Sequence, residues 1–451
     1  MTQQQSDQSA QGAPAVTAAV VAESPKSAEQ KSAAPTAKID IKQNNQGQLL
    51  QNAIIAGNIP QIVLYAISQA LNMGASDIHI EPEEKTVRLR FRVDGVLRHV
   101  IEYPTNIHPA VISRVKIMSN LKIDEQRIPQ DGRTNVTTED NRSIDLRVSS
   151  LPTINGEKIV MRLQDKSKEI PDLPELGLSG TSLEKMERFI KLPNGIILVT
   201  GPTGSGKTNT LYSTLNRLNQ IGVNIMTFED PVEYQMDGLN QSQVHPDIEY
   251  DFAMGLRTAL RQDPDIIMVG EIRDQETIEI AIRAALTGHL VLSTIHTNSA
   301  VATLTRILDM GVKPFLITSS IRGIISQRLV RRICEKCKEE YNPEPEIAEE
   351  IRKELTGVSE KNIDPKLLEN MKLYRGKGCE ACNNMGYKGR AGIFEILEME
   401  RGIAELVLKN APDDEMEEVA KKNGMITLKQ DGFIKCLQGV TSLEEVFRIS
   451  Q

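Results

Sequence analysis

Four short, continuous apolar runs lie in the middle of the chain, separated by segments with helical spacing of apolar residues. They cover residues 196–199, 225–228, 266–269 and 290–292. Continuous apolar runs of this length are typical of strands in a parallel sheet that helices cover on both faces. The pattern therefore predicts an α/β unit over about residues 186–330.

A different pattern precedes this unit. Apolar and charged residues alternate from Val87 to Asp94, which predicts a half-buried strand, and Asp94-Gly95 is a hairpin turn signal. Apolar residues at helical spacing, from Leu64 to Met73, predict a helix, and a second strand pattern covers residues 144–148. These elements predict an α+β domain over residues 50–165.

The remaining segments are distinguished by composition. Residues 1–48 are rich in Ala, Gln, Ser and Pro without an aromatic residue, and we expect them to be disordered because they cannot bury enough apolar surface. Residues 166–185 combine charged clusters with Pro and Gly, as in interdomain linkers. Residues 331–395 contain two cysteine pairs and are expected to bind zinc, and residues 396–451 are expected to be helical.

The overall composition is that of a globular protein, with 39% apolar and 25% charged residues. A net charge of −8, only 4% aromatic residues and no tryptophan weigh against a nucleic-acid-coating role. The sequence shows neither an apolar run long enough to span a bilayer nor a signal peptide pattern, so a cytoplasmic location is expected.

The first apolar run leads into a complete phosphate-binding loop motif. Its residues are Gly201, Pro202, Thr203, Gly204, Ser205, Gly206, Lys207 and Thr208. Glycines allow backbone N–H groups to turn inward around phosphates, Lys207 can reach the β- and γ-phosphates, and the Thr208 hydroxyl can ligate Mg²⁺. The strand before the motif and the helical pattern after it disfavour a chance occurrence, so the motif predicts that ATP and Mg²⁺ bind here.

The other three runs also end in polar residues, and ligands of open α/β sheets bind at the carboxyl ends of the strands. Glu271 follows the third run after Gly270, which replaces the usual terminal Asp of a Walker B strand, and is the candidate to hold Mg²⁺ through water. Glu233 follows the second run and is the candidate water-activating base, with Glu229 as the alternative. His296 ends the strand predicted from the fourth run and is a candidate γ-phosphate sensor. Structural or surface roles remain open for these residues.

Four arginines are candidates for contacting the nucleotide from elsewhere in the chain or from another subunit. Arg257 and Arg261 are four residues apart and share a helix face, whereas Arg133 and Arg147 lie in the first domain. A solvated surface position is the default for any single arginine.

Two CxxC pairs predict a metal site. They are Cys334 with Cys337 and Cys379 with Cys382, separated by an insertion. Four thiolates can bind Zn²⁺ tetrahedrally, and a closed Cys₄ set leaves no open coordination position, so the zinc is expected to be structural. A redox-active dithiol is the alternative. Cys436, alone in an apolar helical stretch, is expected to lie in the core.

Together these motifs resemble the type II secretion / type IV pilus assembly ATPase family. The matching stretches are residues 74–82, 201–208, 227–234, 270–274, 293–300 and both CxxC pairs. The resemblance implies a RecA-like P-loop ATPase domain, a preceding PAS-like α+β domain and an inserted Cys₄ zinc module. In this family Glu233 would activate water, Glu271 would be the Walker B glutamate, and His296 would belong to the His box.

The resemblance also implies a hexameric motor in which ATP turnover rotates domains, turns an inner-membrane platform protein and inserts pilin subunits. Arg133, Arg147, Arg257 and Arg261 would approach the nucleotide phosphates. The protein would act at the cytoplasmic face of the inner membrane through its partners, without binding nucleic acid. The cysteine pairs favour the assembly branch over the retraction branch. Many members carry a long, folded N-terminal domain, where this chain offers only the tail expected to be disordered.

Two other function classes compete with this interpretation. A RecA-like nucleic-acid motor with a zinc module is disfavoured by the negative charge and the scarcity of aromatic residues. A nucleotide-binding scaffold without turnover is disfavoured because Lys207, Thr208, Glu233 and Glu271 are all present.

Overall fold

The computed structural model of the protein describes residues 38–39, 46–138, 141–165 and 169–450. Most of the expected disordered tail, 1–48, lies outside these residues. Of that tail, only residues 38–39, in a short strand, and residues 46–48, in the first turn of a helix, are described.

The first domain packs α-helices against one face of a seven-stranded sheet. Its elements are β1 (Lys38–Ile39), α1 (Gln46–Ile55), α2 (Ile59–Asn72), β2 (Ala75–Pro82), β3 (Thr86–Val93), β4 (Val96–Pro104), α3 (His108–Met118), β5 (Gln130–Thr138), β6 (Ser143–Thr153) and β7 (Gly156–Asp165). The strand order is β1-β5-β6-β7-β2-β3-β4, and the described pairs are antiparallel except β1 with β5. The α+β pattern predicted for this segment is confirmed.

Local sequence accounts for the turns of this domain. The Asn58 side chain accepts a hydrogen bond from the Gln61 N–H and caps the start of α2, and Gly74 follows its end at φ +67°. Asp94 and Gly95 adopt φ values of +47° and +84°, as a tight two-residue hairpin requires. The predicted hairpin between β3 and β4 is thereby confirmed.

The second domain is built on another seven-stranded sheet. Its elements through the last parallel strand are α4 (Gly180–Phe189), β8 (Gly195–Thr200), α5 (Lys207–Leu218), β9 (Ile225–Glu229), β10 (Asn240–Gln243), α6 (Phe252–Ala259), β11 (Ile266–Val269), α7 (Gln275–Leu286), β12 (Leu290–Ile295), α8 (Ala300–Asp309), α9 (Pro314–Ser320) and β13 (Ile321–Ile333). The elements that follow are β14 (Lys338–Tyr341), α10 (Pro345–Glu354), α11 (Pro365–Glu369), β15 (Leu373–Gly376), β16 (Tyr387–Glu398), α12 (Arg401–Leu408), α13 (Asp413–Lys422), α14 (Leu428–Leu437) and α15 (Leu443–Ser450).

The four predicted strands lie side by side in this sheet, whose order is β10-β9-β11-β12-β8-β13-β16. All described pairs are parallel except β13 with β16. Along β8, Ile196 and Leu198 pack into one core while Ile197 and Val199 pack into the core on the opposite face. Burying each of these side chains contributes about 1.5–3 kcal/mol, which explains why the run is continuously apolar.

The edge of this sheet uses a strand from beyond the cysteine pairs. β13 extends to Ile333, and β16 returns antiparallel to it after the insertion that contains β14 and β15. The segment 331–395, defined from the sequence by its cysteines, therefore also supplies the end of β13 and most of β16. Because β13 and β16 are far apart in the sequence, no local sequence pattern indicates that they pair.

Candidate functional site

The phosphate-binding loop connects β8 to α5, as the sequence predicts. Gly206 at φ +89° precedes the first residue of α5, and it provides no side-chain cap for the helix. At Gly201, a Cβ atom would lie 2.5 Å from the Gln327 carbonyl oxygen, so only glycine fits there. The first N–H groups of α5 are therefore available to an anion, and the helix dipole favours negative charge at this end.

Lys207 lies over this loop and is largely buried. Its Nζ donates hydrogen bonds to the carbonyl oxygens of Gly201, at 2.8 Å, and Pro202, at 3.1 Å. Burial lowers the pKa of Lys207 from 10.5 to about 8, against the opposing effect of the nearby Glu271 carboxylate. A phosphate group could replace the two carbonyl oxygens and would favour the charged ammonium.

The carboxyl ends of the strands form a cleft of about 550 Å³ around the loop. The cleft brings together predicted residues from separate parts of the chain, namely Thr203 to Thr208, Glu229, Glu233, Glu271 and His296. It is also lined by Gln164 at the end of β7, Arg273 after β11 and Arg390 in β16, none of which the sequence had singled out. Arg273 lies in the stretch 270–274 that carried the family resemblance, whereas Gln164 and Arg390 had no motif to mark them.

Glu271 occupies the centre of the strand edge, with a side chain that is only 16% exposed. It pairs with Arg273, and its Oε2 lies 3.4 Å from the Nε2 atom of His296. The Glu271 carboxylate raises the pKa of Arg273 above its ordinary value. The carboxylate faces the same cleft as Thr208, so both could take part in holding a divalent cation.

The two candidate glutamates, Glu229 at the end of β9 and Glu233 four residues later, have different surroundings. Glu229 is buried and accepts hydrogen bonds from the Tyr212 hydroxyl, from Thr227 Oγ1 at 2.6 Å and from Gln241 Nε2 at 3.2 Å. Burial, followed by the charge of Glu229, raises the pKa of Tyr212. These bonds tie Glu229 to the protein, so the geometry favours Glu233 for chemistry in the cleft.

Glu233 is more accessible and is contacted from the first domain. Its side chain is 29% exposed, and its Oε2 accepts a hydrogen bond from Arg147 Nη2 at 3.0 Å and another from Gln164 Nε2. The two domains belong to one compact unit that begins at Lys38, so this contact joins two parts of a single body. The candidate base of the second domain is thus held by side chains of the first.

None of the four candidate arginines lines this cleft. Arg133 lies opposite Arg147 in the β5–β6 pair, and both border a separate hollow of about 390 Å³. Arg257 pairs with Glu276, and Arg261 donates to the Arg257 carbonyl oxygen at 3.1 Å. Among the candidate arginines, only Arg147 contacts a cleft residue within the described part of the chain.

The four cysteines of the CxxC pairs come together in one cluster. Their sulfur atoms, from Cys334, Cys337, Cys379 and Cys382, all lie within 4.8 Å of one another, and three of the pairs are 3.8 Å apart. Tetrahedral Zn²⁺ with Zn–S bonds of about 2.3 Å needs sulfur atoms about 3.8 Å apart, so the arrangement fits zinc. Cys436, by contrast, is fully buried in an apolar cluster, which confirms the core position predicted for it.

The surroundings favour a thiolate at Cys382, whereas burial raises the pKa of Cys337 to about 12. Burial raises the pKa of Cys382, but hydrogen bonds from the backbone N–H groups of Cys379 and Gly386, each at 3.2 Å, outweigh it and lower the pKa to about 6. A thiolate is the form that binds a metal ion.

In the part of the chain that the structure describes, no helix is both long enough and apolar enough to cross a membrane.

Comparison with known proteins gives a consistent set of relatives. A family model described as "Type II/IV secretion system protein" matches residues 54–448. The "Type II secretion system ATPase E" of Vibrio cholerae is 47% identical over 393 residues, which cover 87% of this chain and 75% of that protein. The "Type IV pilus assembly ATPase PilB" of Thermus thermophilus is 48% identical over 386 residues, which cover 86% of this chain and 42% of that protein.

A solved structure also shares the fold. The crystal structure of the pilus retraction motor PilT with bound ADP has a TM-score of 0.55 and 28% sequence identity, covering 85% of this chain and 95% of that one. The α/β fold with a P-loop that the sequence predicts is thereby confirmed, whereas the PAS-like character of the first domain stays a prediction.

Proposed function

The chain belongs to the Type II/IV secretion system protein family and is an ATPase of that family, and on this premise we propose that it is the hexameric motor of a pilin- or pseudopilin-assembling machine. One observation carries the proposal. The phosphate-binding loop, Glu233, Glu271 and His296 all meet at one cleft, although they come from four different strand ends. Positioning and charge neutralisation are the main requirements of phosphoryl transfer, and this set supplies both.

Each residue of the cleft has a distinct part in the proposed reaction. Lys207 exchanges its two carbonyl partners for phosphate oxygens of ATP, and Glu233 accepts the proton of the attacking water. Thr208 and Glu271 would hold Mg²⁺, which neutralises phosphate charge when it is bound. His296 stays beside Glu271 and reports whether a γ-phosphate is present.

Contacts between the two domains support a coupling of hydrolysis to motion. Arg147 and Gln164 of the first domain contact Glu233 of the second, and Arg390 of β16 borders the same cleft. In the proposed machine, nucleotide that enters or leaves the cleft would change the contacts of Arg147 and Gln164 with Glu233. In the proposed machine the resulting domain rotation turns an inner-membrane platform protein, and the ATPase stays at the cytoplasmic face of that membrane through its partners.

The cysteine cluster would hold a structural Zn²⁺ ion. Cys334 and Cys337 follow the end of β13, and Cys379 and Cys382 precede β16. Four thiolates would fill the coordination sphere, so the ion would anchor the edge of the sheet and take no direct part in hydrolysis.

The proposal is tested by steady-state ATP hydrolysis of wild type, Lys207→Ala and Glu233→Gln, with light scattering and with or without DNA. Hydrolysis by a wild-type hexamer that both substitutions abolish and that DNA does not change supports the motor. Strong stimulation by DNA would instead support a nucleic-acid motor. A wild-type protein that binds ATP without any turnover would overturn the proposal in favour of a scaffold.

A further inference from the structure

Gln164 lines the nucleotide cleft, and only one of the two polar atoms of its side-chain amide has a hydrogen-bond partner. Its Nε2 donates to Oε2 of Glu233. Its carbonyl atom, Oε1, is buried and has no hydrogen-bond partner among the described residues. Because the amide is planar, the bond to Glu233 fixes the direction in which Oε1 points.

A second side chain that contacts Glu233 also has an unused polar atom. Arg147, the second partner of the same carboxylate oxygen, has a buried Nε atom that also lacks a partner among the described residues. An acceptor and a donor are therefore both unused beside the candidate base. Buried polar atoms normally have partners, so the unpartnered Oε1 of Gln164, a residue that lines the cleft, is available to a ligand there.

Two hydrogen-bond acceptors orient an attacking water molecule better than one. A water bonded to a single carboxylate can still turn about that hydrogen bond, so its lone pair has no fixed direction. A second acceptor engages the other hydrogen and directs the lone pair toward the phosphorus atom. Glutamine orients the attacking water in this way in other P-loop nucleotide hydrolases.

We propose that Gln164, from the first domain, holds the attacking water together with Glu233. The water donates one hydrogen bond to Gln164 Oε1 and the other to the Glu233 carboxylate. Its oxygen forms a bond to the γ-phosphorus while the bond from that phosphorus to the ADP oxygen breaks, and ADP leaves with the electron pair. The proton of the water passes to Glu233. Hydrolysis then requires the two domains to be in contact, because each supplies one acceptor.

This inference rests on the proposed ATPase function and deepens it. The substitution Gln164→Met removes both ends of the amide and keeps the length of the side chain. The matched control is Gln130→Met, since the Gln130 amide is bonded to the backbone of Lys122 and Glu125, in the first domain but outside the cleft. Full-length protein is assayed for kcat, KM for ATP, thermal unfolding and hexamer formation.

We expect Gln164→Met to lower kcat about 10- to 100-fold. The KM, the unfolding midpoint and the hexamer should stay close to wild type, and Gln130→Met should retain wild-type turnover. Residual single-turnover hydrolysis of the double variant Gln164→Met/Glu233→Gln should equal that of Glu233→Gln alone, because both residues act on one water.

Other outcomes overturn the inference. Wild-type turnover by Gln164→Met would exclude the role, and so would an equal loss in kcat and in hexamer formation. The two substitutions could also have independent effects, so that Gln164→Met slows hydrolysis by the same factor in the Glu233→Gln background as in wild type. That result would show that Gln164 only joins the domains. If Glu233→Gln is inactive while Gln164→Met is normal, the inference fails and the ATPase proposal stands. A wild type without turnover overturns both.

Discussion

Nucleotide binding should be coupled to proton uptake through Lys207. Burial lowers the pKa of this lysine to about 8 from its ordinary 10.5. A phosphate bound at Nζ favours the charged ammonium and returns the pKa toward its ordinary value. The lysine, half neutral at pH 8, must then take up a proton when the nucleotide binds.

The magnitude follows from the two pKa values. With a free pKa of about 8 and a bound pKa near 10.5, each site takes up about 0.1 proton at pH 7, about 0.5 at pH 8 and about 0.9 at pH 9. A lysine with an ordinary pKa would take up almost none at pH 8. By linkage, affinity for the nucleotide falls as pH rises above 8, approaching tenfold for each pH unit.

Calorimetry measures this uptake directly. A non-hydrolysable ATP analogue with Mg²⁺ is titrated at pH 8 in buffers of different ionisation enthalpy, and the slope of the observed heat gives the protons taken up. The matched variant is Lys207→Arg, whose guanidinium stays charged and should remove the uptake. A wild-type slope below about 0.1 proton at pH 8, or the same slope in both proteins, would refute the reasoning.

Three further predictions concern other parts of the chain. Elemental analysis of the purified protein should find one zinc ion per chain. The substitution Cys379→Ser should lower both the zinc content and the thermal unfolding midpoint. A protein that keeps its full stability without zinc would contradict the structural role. Glu445→Gln should destabilise the fold by about 3 kcal/mol in urea unfolding at pH 7, whereas the exposed control Glu444→Gln should change little. Burial raises the pKa of Glu445, but hydrogen bonds from Arg448 and Arg331 outweigh burial and lower this pKa to about 2. The contribution of Glu445 to the free energy of unfolding is therefore full above about pH 4.5 and is lost as pH falls toward 2. A Glu445→Gln variant as stable as wild type would contradict this reasoning. Glu229→Ala should lower the thermal unfolding midpoint by several degrees, because Glu229 is buried and accepts three hydrogen bonds. Glu233→Gln should leave the midpoint unchanged. Equal midpoints for the two variants would contradict the different environments of these glutamates.

The parts of this structure that sequence predicts well are those encoded by neighbouring residues. The phosphate-binding loop, the four parallel strands and the Asp94-Gly95 hairpin each depend on a local pattern, and all three appear in the structure. The cysteine cluster is also confirmed, because a CxxC pair fixes two ligands locally and only one long-range contact is needed.

Features made by distant contacts could not be read from the sequence. β16 joins the second sheet through antiparallel pairing with β13, across the whole cysteine insertion. Gln164 ends a strand of the first domain and acquires its place beside Glu233 only when the domains meet. Glu229 and Glu233 look alike in sequence, and they are distinguished by their burial and their hydrogen-bond partners in the folded protein. The roles of Arg133, Arg257 and Arg261 at a nucleotide stay predictions.

The central claim is that Glu233 acts in the chemical step and not in binding. The most direct test measures equilibrium binding and single-turnover hydrolysis of Mg²⁺-ATP by wild type and Glu233→Gln. The account predicts equal affinity for the two proteins and a loss of hydrolysis of about 100-fold or more in the variant. Hydrolysis by Glu233→Gln at close to the wild-type rate would contradict it.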